Sequence, residues 1–283
     1  MNILGGGLRL RWVTALIATI CFPALAATLE VRYPQQESAE AYPVKVLELA
    51  LKKSGMSYNA APLQYQMPQG RALMELAKDG ELNVVWSITS KERERDLLPV
   101  RIPIDKGLYG WRLFLVNQVD VPKFSGVQSL QALRSFKAGQ GHDWPDTTIL
   151  RANNLTVEVS PQYEGLFRML KAHRFDYFPR SVLEIWGEAA QHADAGFVIE
   201  PTLLLHYPTA MYFFVSKSKP ELAATLERGL NAAIKDGSFE KLFQQTYGEV
   251  IQRANLAGRT QLLLANPLLP TTLPLKRKEL WVQ

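Results

Sequence analysis

The chain has 283 residues but a single cysteine, Cys21, only four histidines, and no apolar run approaching the roughly 20 residues that a membrane-crossing helix needs. One cysteine excludes an internal disulfide, and with it the small disulfide-stapled fold classes. It also excludes a cysteine-rich structural zinc site, and His142, His173, His192 and His206 are not spaced as metal ligands, so neither a metal nor a cofactor is expected. The Gly-x-Ser-x-Gly elbow, the Gly-x-Gly-x-x-Gly fingerprint and the phosphate-binding Gly-Lys-Ser/Thr loop are absent as well, which leaves no enzyme class with a recognisable motif. Charge of one sign is scarce: 32 Lys and Arg stand against 27 Asp and Glu, a net +5, of which Arg9 and Arg11 supply two. A nucleic-acid partner calls for a basic face or run. The densest basic cluster here, Lys276-Arg277-Lys278, falls in a proline-broken tail and reads as solvated surface.

What is present begins at the N-terminus. Arg9 and Arg11 precede an 11-residue apolar run from Trp12 to Phe22, followed by Ala24-Leu25-Ala26. That is the pattern of a secretory leader cleaved after Ala26, and the run is too short to remain as an anchor. Cys21 falls inside the leader, and Ala18-Thr19-Ile20 before it lacks the small residue of a lipoprotein signal. A periplasmic protein without a lipid anchor is expected, long enough to bury a stable core without staples.

Strand and helix patterns then alternate. Thr28 to Tyr33 alternates and is rich in strand formers, and a helix-period run through Val46, Leu47, Ala50 and Leu51 ends at Ser54-Gly55. A helix around Arg71 to Lys78 stops at Asp79-Gly80, before the buried-strand run Leu82 to Trp86. Two short apolar runs, Arg112 to Val116 and Met211 to Val215, bracket a middle segment with its own order: helix (129–134), strand (135–138), a Gly-Gln-Gly turn, helix, strand (155–159), helix (162–172) and strand (175–178). One α/β unit inserted into another implies an α/β protein of two lobes, each a mostly parallel sheet with flanking helices, joined by two hinge strands. The expected division is a leader at 1–26, a first lobe from 27–115 and 212–283, and a second lobe at 116–211. The residues from about 250 form a C-terminal extension read as wrapping the first lobe. A cleft between lobes is where a small ligand binds.

Several stretches, in this order, resemble the family-3 solute-binding proteins, the polar amino-acid receptors of ABC importers, which have the two-lobed type II periplasmic-binding fold. Trp86-Ser87-Ile88-Thr89-Ser90-Lys91-Glu92-Arg93 looks like the family's Ser-Ile-Thr-x-x-Arg segment. Asp105 to Tyr109 followed by Arg112 to Val116 is similar to its entry into the first hinge strand. Gly139-Gln140-Gly141, Phe175-Asp176-Tyr177 and the span Pro220 to Phe239 match later family landmarks. The resemblance implies no enzymatic activity, a small-molecule ligand, a monomeric receptor, and an inner-membrane permease or signalling protein as partner. It implies that Arg93 clamps a ligand carboxylate, that Ser87 and Thr89 donate hydrogen bonds, and that His142 and Asp143 present a helix start to the ligand.

Two departures stand out. Arg93 follows Thr89 by four residues where the family has three, so Ser90 takes the threonine's place or the loop bulges. The family's acidic amine-binding position, five residues after Asp176, is Ser181, with Arg180 beside it. That favours an organic anion or a modified amino acid or peptide, unless Glu184 replaces the missing acid. Arg180 either pairs with Glu184 or meets the ligand. Tyr33, Trp86, Trp144, Tyr177 and Phe178 sit near strand ends as core or as stacking surfaces, and Gln69 and Arg71 stand within reach of the cleft. An enzyme on this fold, dehydratase-like and acting on a small carboxylate, would need Glu184 or His142 as its general acid.

Overall fold

The computed structural model describes Met1, residues 28–35 and residues 41–282; the leader read at residues 1–26 lies, apart from Met1, outside the described residues. In chain order the first elements are β1 (Leu29–Tyr33), α1 (Tyr42–Lys53), β2 (Tyr58–Pro62), α2 (Gln69–Ala77), β3 (Val84–Ile88), α3 (Lys91–Asp96) and β4 (Leu98–Val100). There follow β5 (Trp111–Asn117), α4 (Leu130–Leu133), β6 (Lys137–Gly141), α5 (Pro145–Ala152), β7 (Thr156–Ser160), α6 (Tyr163–Lys171), β8 (Phe178–Ser181), α7 (Ile185–Gln191), β9 (Phe197–Ile199) and β10 (Leu203–His206). The chain closes with β11 (Met211–Val215), α8 (Pro220–Lys235), α9 (Ser238–Ala254) and β12 (Thr260–Leu263). Among the described residues no helix is long and apolar enough to cross a membrane.

The alternation read from the sequence forms as expected where a βαβ unit demands it. β1 pairs parallel with β2 across α1, which buries Val46, Leu47, Ala50 and Leu51, and β6 pairs parallel with β7 across α5. Antiparallel pairing appears elsewhere: β11 runs antiparallel between β3 and β4, and β5 runs antiparallel to β8, β9 and β10. Helix α8 lies on α1 so closely that a Cβ on Gly229 would stand 1.8 Å from the Ala50 carbonyl oxygen, and only glycine fits there.

Three local readings shift. The Gly139-Gln140-Gly141 stretch is the end of β6 and not a turn; a Cβ on Gly139 would meet the Phe175 ring at 2.2 Å. The strand read at 175–178 is β8 and starts at Phe178, Tyr177 contributing only a bridge to Ala138. The largest difference is at the C-terminus: residues 260–263, read as wrapping the first lobe, form β12 on the edge of the sheet that holds β5 and β10, parallel to β10. The alternation of Thr260–Leu263, which buries Leu262 and exposes Leu263, suits a sheet edge.

The two crossings lie side by side as segments 101–110 and 207–210. Gly110 and Tyr207 are in backbone contact: the Tyr207 N–H donates to the Gly110 carbonyl at 3.1 Å, and a Cβ on Gly110 would sit 2.0 Å from the Tyr207 carbonyl oxygen. The largest apolar cluster runs unbroken through this region, from Val31 and Leu47 through Ile104, Trp111 and Leu113 to Phe167 and Phe178. Both segments are therefore backed by packed core.

Candidate binding cleft

A cleft of about 490 Å³ is walled by the α3 start on one side and the α5 start on the other, with the crossings as its floor. From the first side come Gln69, Thr89, Ser90, Glu92 and Arg93; from the second His142, Asp143, Trp144, Pro145 and Asp146; from the floor Tyr109, Arg112, Tyr207 and Thr209.

The α3 wall is built by a capped helix start. Ser90 is its N-cap, with Oγ accepting the Arg93 backbone N–H at 3.2 Å. Ser90 thus holds the position three residues before Arg93. Thr89 Oγ1 donates instead to Glu94 at 2.8 Å. The Arg93 side chain is half-buried, and its Nη1 donates to the Ile88 carbonyl oxygen. Among the described residues no carboxylate lies within salt-bridge distance of it. Burial holds its pKa below the usual value, with Glu92 working weakly the other way. A partly buried guanidinium without a salt-bridge partner among the described residues favours an anion in the cleft.

The floor and the α5 wall hold their charges quite differently. Arg112, nearly fully buried on β5, donates from Nε to the Tyr207 hydroxyl at 2.8 Å, lies 2.8 Å from Asp146 Oδ1 and reaches Glu184 Oε2 at 3.4 Å. The Tyr207 hydroxyl donates in turn to Asp146. Burial works to lower the Arg112 pKa, and the pull of Asp146, Tyr207 and Glu184 outweighs it, so the pKa rises. Arg180 is gripped by Glu188, Nε at 2.9 and 2.8 Å and Nη2 at 2.6 Å, and touches Glu184 at 3.3 Å. Its guanidinium lies over Trp144 at 4.8 Å and Phe178 at 5.1 Å. Both arginines are neutralised.

The structure brings Thr89, Arg93, His142, Asp143 and Trp144 to the cleft. His142 and Asp143 are exposed on its rim, and Trp144 packs half-buried against Phe178 and Tyr163. Six other candidates are placed elsewhere. Ser87 is fully buried on β3 opposite Tyr212, because this strand is covered on both faces and the cleft starts only past its end. Tyr33 and Trp86 pack against each other in the core. Ser181 is fully buried, its Oγ accepting the Leu183 N–H, and Arg180 and Glu184 serve the ion network just described. Arg112, Asp146 and Tyr207 escaped the sequence reading. The available signal was Arg112 itself: a charge inside the apolar run Trp111 to Val116 must find partners if the strand is buried.

Beneath the floor, Asp105 ties the two crossings together. Its carboxyl is buried and accepts backbone N–H groups of Gly107 at 3.3 Å and Tyr109 at 3.3 Å on the first crossing and of Met211 at 3.0 Å, where the second crossing enters β11. Burial raises its pKa from 3.8 to about 6 against the pull of those donors. Because the folded-state value is the higher one, folding takes up a proton between about pH 4 and 6. The stabilisation from this group is full below about pH 4 and is lost as pH rises through 6, up to about 3 kcal/mol. Asp105→Asn is therefore expected to gain on the parent by up to that amount between pH 4 and 7, read from urea unfolding at both pH values. A constant difference between the two proteins would show that Asp105 is not the titrating group.

No metal-binding cluster of His, Cys, Asp and Glu occurs among the described residues. No family model and no curated relative matches the chain. Solved structures do. The amino-acid ABC transporter substrate-binding protein AbpA of Streptococcus pneumoniae, bound to L-arginine, superposes with a TM-score of 0.52 at 15% identity, over 79% of this chain and 96% of its own. The L-cystine solute receptor of Neisseria gonorrhoeae, unliganded and open, gives 0.52 at 17% identity, over 79% and 94%. A chain from the glutathione-import structures of Streptococcus mutans gives 0.56 at 12% identity, over 78% and 96%. The fold is thus the two-lobed type II periplasmic-binding fold.

Proposed function

We propose that the protein is a periplasmic solute-binding protein that holds a small amino-acid-like ligand between its lobes and presents the closed form, as a monomer, to an inner-membrane permease or sensor. The observation that carries this is Arg93, a desolvated guanidinium facing the cleft with no counter-ion among the described residues. A ligand carboxylate fits its planar fork of donors. The opposite side carries the complementary sign. Arg112 and Arg180 are set among three carboxylates, Asp146, Glu184 and Glu188, which leaves that network one negative charge in surplus beside the cleft.

An ammonium group at the Asp146 end and a carboxylate at Arg93 make a zwitterion the better guest than the organic anion that Arg180 suggested in the sequence. Arg180 repels nothing, since Glu188 has neutralised it. The arginine, cystine and glutathione systems named by the structural neighbours are in keeping with this class. We place the lobe boundary at the crossings, so that β1 to β4 with β11, α8 and α9 move as one body and β5 to β10 as the other.

Thermal-shift screening of the purified protein against amino acids, dicarboxylates, short peptides and aromatic acids tests the reading. A ligand that binds only the folded state adds about 2.7 kcal/mol of stability at 100 times its dissociation constant. An amino acid or short peptide is expected to produce the shift. A protein indifferent to every carboxylate offered would end the proposal.

A further inference from the structure

The C-terminal strap touches both lobes across the cleft. On one side β12 is paired with β10, the Leu264 N–H donates to the His206 carbonyl at 2.8 Å, and Asn153 at the end of α5 brackets Ala265, donating to its carbonyl at 2.7 Å and accepting its N–H at 2.9 Å. Three residues later the chain is fastened to the opposite side. The Leu268 carbonyl accepts the Lys91 N–H at 3.3 Å, one of the free donors at the start of the helix that carries Arg93, and the Pro267 carbonyl accepts Lys91 Nζ at 3.1 Å. Further along, the Thr272 hydroxyl donates to Glu94 at 3.0 Å. Between the two anchorages Asn266 is fixed by its own bond to the Pro208 carbonyl at 3.0 Å, and Asn266 and Leu268 line the cleft.

We infer that residues 265–268 form a third wall of the binding cleft and, at the same time, a tether that limits how far the lobes part. The physical reason is length. Three residues fully extended span at most about 11 Å. Movement of the α3 start away from the α5 end beyond that reach must break the Lys91 and Thr272 contacts or peel β12 from β10. A strand edge of four paired residues, with Leu262 and Leu264 buried in the apolar cluster around Phe114 and Tyr177, is the stronger of the two anchorages, so the α3 side lets go first. Ligand entry then requires release of the strap, and the bond from Lys91 to Leu268 makes that release felt at the Arg93 helix itself.

The inference rests on the two-lobed fold and not on the identity of the ligand. Its test therefore uses no ligand, and a negative screen and a negative tether experiment are separate outcomes. Spin labels at Lys52→Cys on α1 and Lys171→Cys on α6, in a Cys21→Ser background, report the distance between the lobes by pulsed electron resonance. The parent is expected to give one narrow distribution. Inserting six Gly/Ser residues between Ala265 and Asn266 lengthens the tether while leaving every anchor residue in place, and is expected to add a longer, broader population. The pair Asn153→Ala with Thr272→Val, which loosens both anchorages, is expected to do the same. A parent distribution already as broad as that of the variants, or an insertion variant that keeps the parent's distances, would overturn the inference.

Discussion

Arg112→Ala is expected to be the most destabilising single change around the cleft, lowering stability by about 3–5 kcal/mol. The side chain is a buried cation held by Asp146 and Glu184 and by the Tyr207 hydroxyl, and its removal leaves the largely buried Asp146 without a cation, while the more exposed Glu184 keeps Arg180. For a chain of this size each kcal/mol moves the melting temperature by roughly 2–4 °C, so a drop on the order of 10 °C should be seen by calorimetry. Adding Asp146→Asn should recover part of the loss, because it removes the stranded charge and the two sites are in contact. Equal melting temperatures for the parent and Arg112→Ala would show that the network contributes little to the fold.

Arg93→Ala should behave in the opposite way. Its guanidinium donates to the Ile88 carbonyl oxygen, and among the described residues no carboxylate forms a salt bridge that offsets its partial burial. The melting temperature of the empty protein is therefore expected to stay within about 1–2 °C of the parent, since surface and half-exposed substitutions of this kind usually fall within about 0.5 kcal/mol. Binding is where the loss appears. Removing one partner of a charge-assisted pair costs about 2–5 kcal/mol, at least a thirtyfold weakening in the dissociation constant measured by calorimetry with the compound found in the screen. Retention of full affinity would remove Arg93 from the site and leave the cleft's charge pattern without a purpose. The contrast between the two arginines is itself a test, because one is expected to fail in folding and the other in binding.

Features that depend on periodicity and local chemistry are legible in the sequence. β11 falls at the bounds the pattern predicted, Met211–Val215, since a run of buried strand formers admits one local solution. The helix start carrying Arg93 was not legible: the segment reads as a loop in the sequence, and the structure makes it a short helix capped by Ser90, whose hydroxyl accepts the N–H three residues on.

What the order of residues along the chain determines, then, is alternation and the presence of an α/β unit inserted within another, because these rest on interactions between near neighbours. Which side chains face the cleft was decided by tertiary structure alone. Ser87 and Thr89 share one face of a strand by spacing, yet only Thr89 lies past the end of β3, whose pairing with β11 stops at Ile88 and Met211. Arg180 found Glu188, eight residues on, through the turn into α7, and the C-terminal strap found the β10 edge some sixty residues back, pairings set by long-range packing that no local pattern encodes.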